Sequence, residues 1–279
     1  MSYADGLFIQ NCRDILDNGF WDTELDVRPK WEDGTPAHTV KRFGIVNRYN
    51  LKEEFPILTL RRTYFKSAVD ELLWIWQKKS NNVHELGSRI WDNWADEDGS
   101  IGKAYGYQLG VKHQYKEGMF DQVDRVLSDL KHNPQSRRIM TNLYVHEDLH
   151  EMSLYPCAYS MTFNVTGNTL NAILNQRSQD MLTANNWNVC QYAVLVHLFA
   201  SASGLEAGEL VHVIADAHIY DRMCLWWRIS YSVSRCPHLS SYGTEERIFT
   251  RLPSTASGWK GISSTRLRQV SRSLYKEST

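Results

Sequence analysis

A helix that is apolar on every side has to be covered on every side. Residues 189–202, VCQYAVLVHLFASA, read as such a helix, buried almost all round. The stretch leading into it, LYPCAYSMTFNVTGNTLNAILNQRSQDMLTANNWNVCQY, runs from Leu154 to Tyr192 and carries the chemistry. Cys157 follows Tyr155-Pro156, and proline there fixes the backbone and favours a defined, non-helical setting for the thiol. A β-patterned hairpin then leads to Gln176-Arg177-Ser178-Gln179-Asp180. An Arg-Ser-x-Asp run at a strand end offers a guanidinium fork, a hydroxyl and a carboxylate together. An Asn-rich turn carries Asn188 into the helix. Taken singly, each feature has an ordinary explanation: a small buried thiol, a solvated strand end, a helix N-cap. Together, a nucleophile, an anion clamp and an amide reader in one short span point to a reaction on a phosphorylated heterocycle.

The chain has 279 residues, a formal charge of −1 and 42% hydrophobic residues, enough to bury a substantial core. Near-neutral charge argues against a general nucleic-acid binder, which would carry a basic excess. Five cysteines without paired spacing argue against a disulfide framework or a zinc site. The N-terminal MSYADGLFIQNCRDIL lacks a cationic segment followed by an apolar block, and no apolar run approaches the roughly 20 residues that span a bilayer. A soluble, cytoplasmic protein is expected.

Along the chain, Leu7, Cys12, Ile15 and Leu16 give 3–18 helical spacing, with Gly19 as a stop. DVRPKWEDGTPAHTV follows, with turn chemistry at Asp33-Gly34-Thr35-Pro36 and Arg28 and Lys30 on the approach. It reads as a mobile basic loop or an ordinary solvated hairpin. A strand is expected over 41–51 and a helix over 64–77, with Val69, Leu72, Leu73 and Trp76 on the buried stripe. Glu71 lies within that apolar surround; it either finds partners, stays protonated, or faces solvent. Gly99, Gly102 and Gly106 around Tyr105 suit close backbone approach. An amphipathic helix is expected over 120–132. A strand over 139–145 follows Arg137 and Arg138, which would then point to opposite faces. A last strand, 209–219, carries Asp216, His218 and Tyr220 in phase.

The segments ELLWIWQ, IWDNWADEDGSIGKAYG, NPQSRRI, LYPC, QRSQD, NNWNVCQYAVL and DAHIY, in that order, resemble the thymidylate synthase family over residues 1–221. The resemblance implies an α+β fold: a large mixed sheet flanked by helices, pairing as a homodimer through the sheet face. It implies reductive methylation of dUMP to dTMP with 5,10-methylenetetrahydrofolate as cosubstrate, which leaves as dihydrofolate, and no metal. By the same resemblance Cys157 adds to uracil C6, Glu71 manages protons through water and Tyr105 assists loss of the C5 proton. Arg28, Arg177 and Ser178 hold the 5′-phosphate, joined by Arg137 and Arg138 from the partner subunit. Asn188 reads the O4/N3 edge, His218 and Tyr220 hold the 3′-hydroxyl, and Trp91, Trp94 and Asp180 line the folate side. No membrane is implied, and no nucleic acid is needed for catalysis. Two departures stand inside the match: Ala158 where many members have histidine, and Ala184 where the approach to the asparagine has glycine. Three other readings compete. A deoxypyrimidine monophosphate hydroxymethylase would use water in place of hydride, but relatives acting on dCMP carry Asp where Asn188 stands. An inactive, structural or RNA-binding relative would not need every dUMP ligand. A cysteine hydrolase would need a histidine paired with Cys157, for which no motif is visible.

The resemblance stops after His218-Ile219-Tyr220-Asp221-Arg222. The family continues with a histidine, a helix, a Pro-Ala-Pro segment, DFY-like and EGY-like strands and a short apolar terminus that closes the site. Here MCLWWRISYSVSRCPHL leads into a stretch rich in Ser and Arg, compositionally unlike the rest. The chain thus divides into a catalytic domain, 1–221, and a divergent tail, 222–279. A one-base shift of the reading frame near Arg222 accounts for the tail. Inserting one base lets RMCLWWRIS be read as RHVPMVEDI, CPHL as LPAP, RIFTR as KDFYA and GWKGI as LEGY, with RSLYK ending as PVAV and a stop. A shifted tail would lack a consistent hydrophobic period, pack poorly and leave the site without its closing segment. Resequencing the gene across the Arg222 codon should reveal the one-base difference. The sequence as written, confirmed in a fully active protein, would sink the idea.

Overall fold

In a computed structural model, the protein is described over residues 1–224 and at residue 227. Helix α1 (Tyr3–Asn18) is followed by β1 (Phe20–Trp21), β2 (Thr39–Asn50), α2 (Phe65–Trp76) and the one-turn α3 (Gly106–Gly110). A small hairpin, β3 (His113–Tyr115) and β4 (Gly118–Phe120), precedes α4 (Gln122–His132). Then come β5 (Met140–Asn142), β6 (Ala158–Thr166), β7 (Thr169–Asp180), α5 (Asn185–Ser203) and β8 (Glu206–Tyr220). Six strands form one sheet in the order β1-β2-β8-β7-β6-β5. All neighbours are antiparallel except β7 and β8, which run parallel. Parallel neighbours need a crossover, and α5 supplies it. The sheet is therefore mixed and the fold α+β, as expected.

Helix α5 is covered as its composition requires. Val194, Leu195, Val196 and Ala200 are 1% exposed or less. One side lies on the sheet, where Phe163 and Phe199 rings are 5.3 Å apart. The other side meets α2, where Trp76 packs edge-on against Tyr192 at 6.2 Å and Phe199 at 5.9 Å. Each fully buried Leu, Val or Phe contributes about 1.5–3 kcal/mol, so this contact is a large part of the fold's stability.

The expected helices and strands appear with shifted bounds. Asp121 accepts the Asp124 N–H at 2.9 Å and so caps α4, while Phe120 ends β4. The expected strand over 139–145 shortens to β5, and Arg137 and Arg138 lie in the loop ahead of it. On α2 the expected stripe is incomplete: Val69 and Leu73 are half-buried, whereas Glu71 and Trp74 are buried. The helix is covered on a second side, where Trp74 packs 6.0 Å from Trp91. The stretch after Arg28 is a hairpin: Lys30 bridges Pro36, and Gly34 takes φ +82° at the turn. Trp31 docks it to the end of β8, donating to Asp221 at 3.1 Å beneath the Arg222 guanidinium. Beyond Arg222, Cys224 and Trp227 are buried, with Trp227 5.5 Å from Phe8. The rest of the 222–279 reading lies outside the described residues.

Tyr105 owes its position to the backbone around it. It sits at φ +46°, ψ −104°, a region that L-residues rarely occupy. Gly106 holds it there: a Cβ on Gly106 would lie 2.1 Å from the Ser80 carbonyl oxygen and 2.7 Å from its nitrogen. Gly106→Ala should therefore lower the unfolding free energy by about 1–3 kcal/mol, the usual cost of overpacking. Denaturant titration checks this, and a curve superimposing on wild type would show that the approach is not tight.

Candidate active site

Cys157 lies in the loop entering β6, half-buried. Its loop is fastened from β7. The Arg177 N–H donates to the Cys157 carbonyl at 2.9 Å. The Arg177 side chain donates to the carbonyls of Pro156 (3.0 Å) and Tyr155 (2.8 Å), and its Nη2 stands 3.7 Å from Sγ. From the other side, the Cys157 N–H donates to the Tyr105 hydroxyl at 3.2 Å. Burial raises the Cys157 pKa, and the Arg177 charge works against that rise. Arg177 thus does something that sequence alone did not show: it positions the loop that carries Cys157.

Glu71 faces inward on α2, 7% exposed. Three N–H groups reach it. Trp91 Nε1 donates to Oε1 at 2.8 Å, while Trp187 Nε1 and Gln191 Nε2 (3.0 Å) donate to Oε2. Burial raises its pKa; the three hydrogen bonds pull the other way. The polar chain then continues. Asn188 Nδ2 donates to Gln191 Oε1 at 3.2 Å, and Gln176 Nε2 donates to Asn188 Oδ1 at 3.2 Å. Gln176 Oε1 meets His212 Nε2 at 2.8 Å. His212 is wholly buried, and desolvation lowers its pKa to about 3, so it is neutral.

These contacts close into a ring. Cys157 touches Tyr105, whose ring packs 5.1 Å from Trp91. Trp91 leads to Glu71, Gln191, Asn188 and Gln176, and Gln176 adjoins Arg177, which returns to Cys157. Sequence reasoning supplied Cys157, Tyr105, Glu71, Asn188 and Arg177. It missed Gln176, Gln191, Trp187 and His212. Gln191 had a visible signal, for it stands three residues after Asn188 on a helix and so shares its face.

The remaining candidates fall as follows. His218 Nδ1 meets Asp216 Oδ1 at 2.7 Å, and the His218 and Tyr220 rings are 5.4 Å apart, so these two do share a face. Ser178 is half-buried beside Asp216 in the β7–β8 register. Arg28, Arg137 and Arg138 are exposed. Trp91 is buried behind Trp94, which is 41% exposed, and their rings are 5.5 Å apart. Asp180 accepts the N–H groups of Leu182 (2.9 Å) and Thr183 (3.1 Å), bracing the turn into α5. Ala184 has φ −109°, ψ −19°, which any residue adopts, so its backbone does not call for glycine. Among the described residues no group of three or more His, Cys, Asp or Glu is placed to hold a metal, and no helix is long and apolar enough to cross a membrane.

A sequence model of the thymidylate synthase family matches residues 7–242. A thymidylate synthase of Bacillus subtilis subsp. natto is 45% identical over 227 residues, which are 80% of this chain and 81% of that protein. The thymidylate synthase of Bacillus phage phi3T is similar to the same extent, 45% over 227 residues with the same coverage of 80% and 81%. Among solved structures, thermostable thymidylate synthase A from Bacillus subtilis superposes with a TM-score of 0.80 at 41% identity. That superposition covers 84% of this chain and 85% of the other.

The buried carboxyl of Glu71 makes stability depend on pH in a defined direction. Its folded pKa is raised, so between the usual glutamate value and the raised one the native state binds more protons than the unfolded chain. Stability is undiminished below that window and falls as pH rises through it. Glu71→Gln removes the titration. The unfolding free energy of Glu71→Gln minus that of wild type should rise with pH across the window and level off on either side. Parallel pH–stability curves would contradict a burial-shifted Glu71.

Proposed function

The chain belongs to the thymidylate synthase family and is a methyltransferase that converts dUMP to dTMP, and we propose which of its residues perform each step. The observation that carries the assignment is the closed ring from Cys157 through Tyr105, Trp91, Glu71, Gln191, Asn188 and Gln176 to Arg177. It links the thiol of Cys157, the carboxyl of Glu71 and the amide of Asn188 in one connected set.

In this reading Cys157 gives up its proton and its sulfur bonds to uracil C6. Burial opposes the thiolate and the Arg177 guanidinium favours it. The electron pair displaced from the C5–C6 bond moves toward O4. Asn188 donates to O4 and accepts from N3–H, stabilising that charge as it develops. C5 then bonds to the one-carbon unit and loses its proton. Tyr105 serves that loss: the Cys157 N–H occupies one side of its oxygen, and the hydroxyl hydrogen remains to orient a water. Glu71, held by three donors, exchanges protons with water at the O4 side. 5,10-Methylenetetrahydrofolate is the cosubstrate, supplying the carbon and a hydride and leaving as dihydrofolate. The C6–S bond breaks last, and Cys157 departs as it entered.

Around this centre Arg28, Arg177 and Ser178 bind the 5′-phosphate, since guanidinium forks match a dianion. Asp216 orients His218, and His218 with Tyr220 holds the 3′-hydroxyl. Trp94 offers an exposed ring to the folate, with Trp91 behind it and Asp180 at the turn beyond. The protein acts as a homodimer. On the sheet face away from α5, Val46 pairs with Val213 and Ile173 with Val211, and Val46 and Ile173 are 54% and 40% exposed. Pairing there covers an apolar surface and brings the partner's Arg137 and Arg138 to the phosphate.

Shared sites make a sharp test. Cys157→Ser and Arg138→Ala chains should each lose nearly all turnover, Cys157→Ser while still binding dUMP. Mixed and re-equilibrated, half the dimers are hybrids with one intact site of two, so activity should return to about a quarter of wild type. Hybrids that form and stay inactive would refute the sharing. A Cys157→Ser chain with wild-type turnover would refute the nucleophile.

A further inference from the structure

We propose that Gln191 is a specificity-determining positioning residue: anchored to the Ala68 carbonyl and the Glu71 carboxylate, it fixes which way round Asn188 offers its amide and so selects uracil over cytosine. The proposal rests on Asn188 reading the base.

The argument is one of donors and acceptors. An asparagine amide has two N–H donors on nitrogen and two acceptor positions on oxygen. Gln191 Oε1 takes one N–H of Asn188, and Gln176 Nε2 occupies one acceptor position. One donor and one acceptor remain, on a side chain that is half-buried and that this reading turns toward the base. Uracil presents an acceptor at O4 and a donor at N3, which this edge matches. Cytosine presents the reverse, an amino donor at C4 and an acceptor at N3. To match cytosine the Asn188 amide would have to turn over.

It cannot turn over alone, because both neighbours are pinned by groups that never change role. Gln191 Nε2 also donates to the Ala68 carbonyl at 3.1 Å, and Gln176 Nε2 also donates to the Ser178 carbonyl at 3.1 Å. Backbone carbonyls only accept, so neither glutamine can exchange its nitrogen for its oxygen without facing oxygen to oxygen. Glu71 holds Gln191 the same way round. A turned Asn188 would set nitrogen against nitrogen at Gln176 and oxygen against oxygen at Gln191. Gln191 is 4% exposed and Gln176 3%, so water does not repair the mismatch.

Two variants separate Gln191 from its surroundings. Gln191→Met keeps the volume and removes the acceptor. Gln191→Glu keeps an acceptor toward Asn188 but loses the donor to Ala68 and Glu71. The measurement is the ratio of dCMP to dUMP dissociation constants, by calorimetry on dimers whose folding is checked by thermal melting. Gln191→Met should narrow the ratio about tenfold, the worth of one hydrogen bond of discrimination, and Gln191→Glu, which sets oxygen against oxygen at Ala68 and Glu71 and so loses the anchor, should narrow it as well. A purely structural role would weaken both nucleotides alike and leave the ratio unmoved in both variants, which overturns the proposal. Should Gln191→Met not fold, Gln191→Leu supplies the same reading without the acceptor. Asn188→Asp is the control for the underlying assignment, because a carboxylate accepts from the cytosine amine. If Asn188→Asp leaves the ratio unchanged, the base-reading role of Asn188 fails. If it shifts the ratio while Gln191→Met and Gln191→Leu do not, only the Gln191 proposal fails.

Discussion

A carboxylate taken out of water has to be given donors, and much of this molecule is arranged to give them to Glu71. Its three partners come from separate places: Trp91 from the loop after α2, and Trp187 and Gln191 from the first turns of α5. Each is an N–H group carried by a side chain that is otherwise packed. If α2 slid along α5, two donors would lose their acceptor. If the Trp91 loop moved, the third would go, and so would the ring packed against Tyr105. One buried charge thus fixes the relation of three segments that lie far apart in the chain.

The apolar contact between α2 and α5 makes that arrangement possible. Trp76 against Tyr192 and Phe199 supplies the burial. The same burial raises the Glu71 pKa, against the pull of its three hydrogen bonds. Stability and the titration of Glu71 are coupled through one helix pair. A like coupling holds at Cys157, whose loop is tied to the strand that supplies Arg177. There the cation that works against the burial-raised thiol pKa also fixes the loop that carries the thiol.

Directionality is the third consequence. Along His212, Gln176, Asn188, Gln191 and Glu71 each N–H meets an acceptor on the next residue, and the chain ends on a carboxylate. Amides alone could point either way. Backbone carbonyls at Ser178 and Ala68 and the charge at Glu71 select one direction. Reading a base by its hydrogen-bond pattern requires such a fixed direction.

Much of this was legible in the chain itself. Period and capping marked α1 and α5 within a few residues, because an amphipathic or all-apolar helix declares its burial in its own composition. The motif order pointed to Cys157, Arg177 and Asn188, whose chemistry follows from residue type. The sequence could not decide the stripe of α2. Glu71 and Trp74 are buried and Val69 and Leu73 are not fully so, because a second covering surface arrives from the Trp91 loop. Nor could it decide that Arg137 and Arg138 precede β5, since strand ends depend on where β6 stops pairing. Gln176, Gln191 and His212 looked like ordinary strand and helix residues. Their role lies in which atoms face which across β7, β8, α5 and α2. Residue types determined what bonds were possible, and only the packing of distant segments decided which were made.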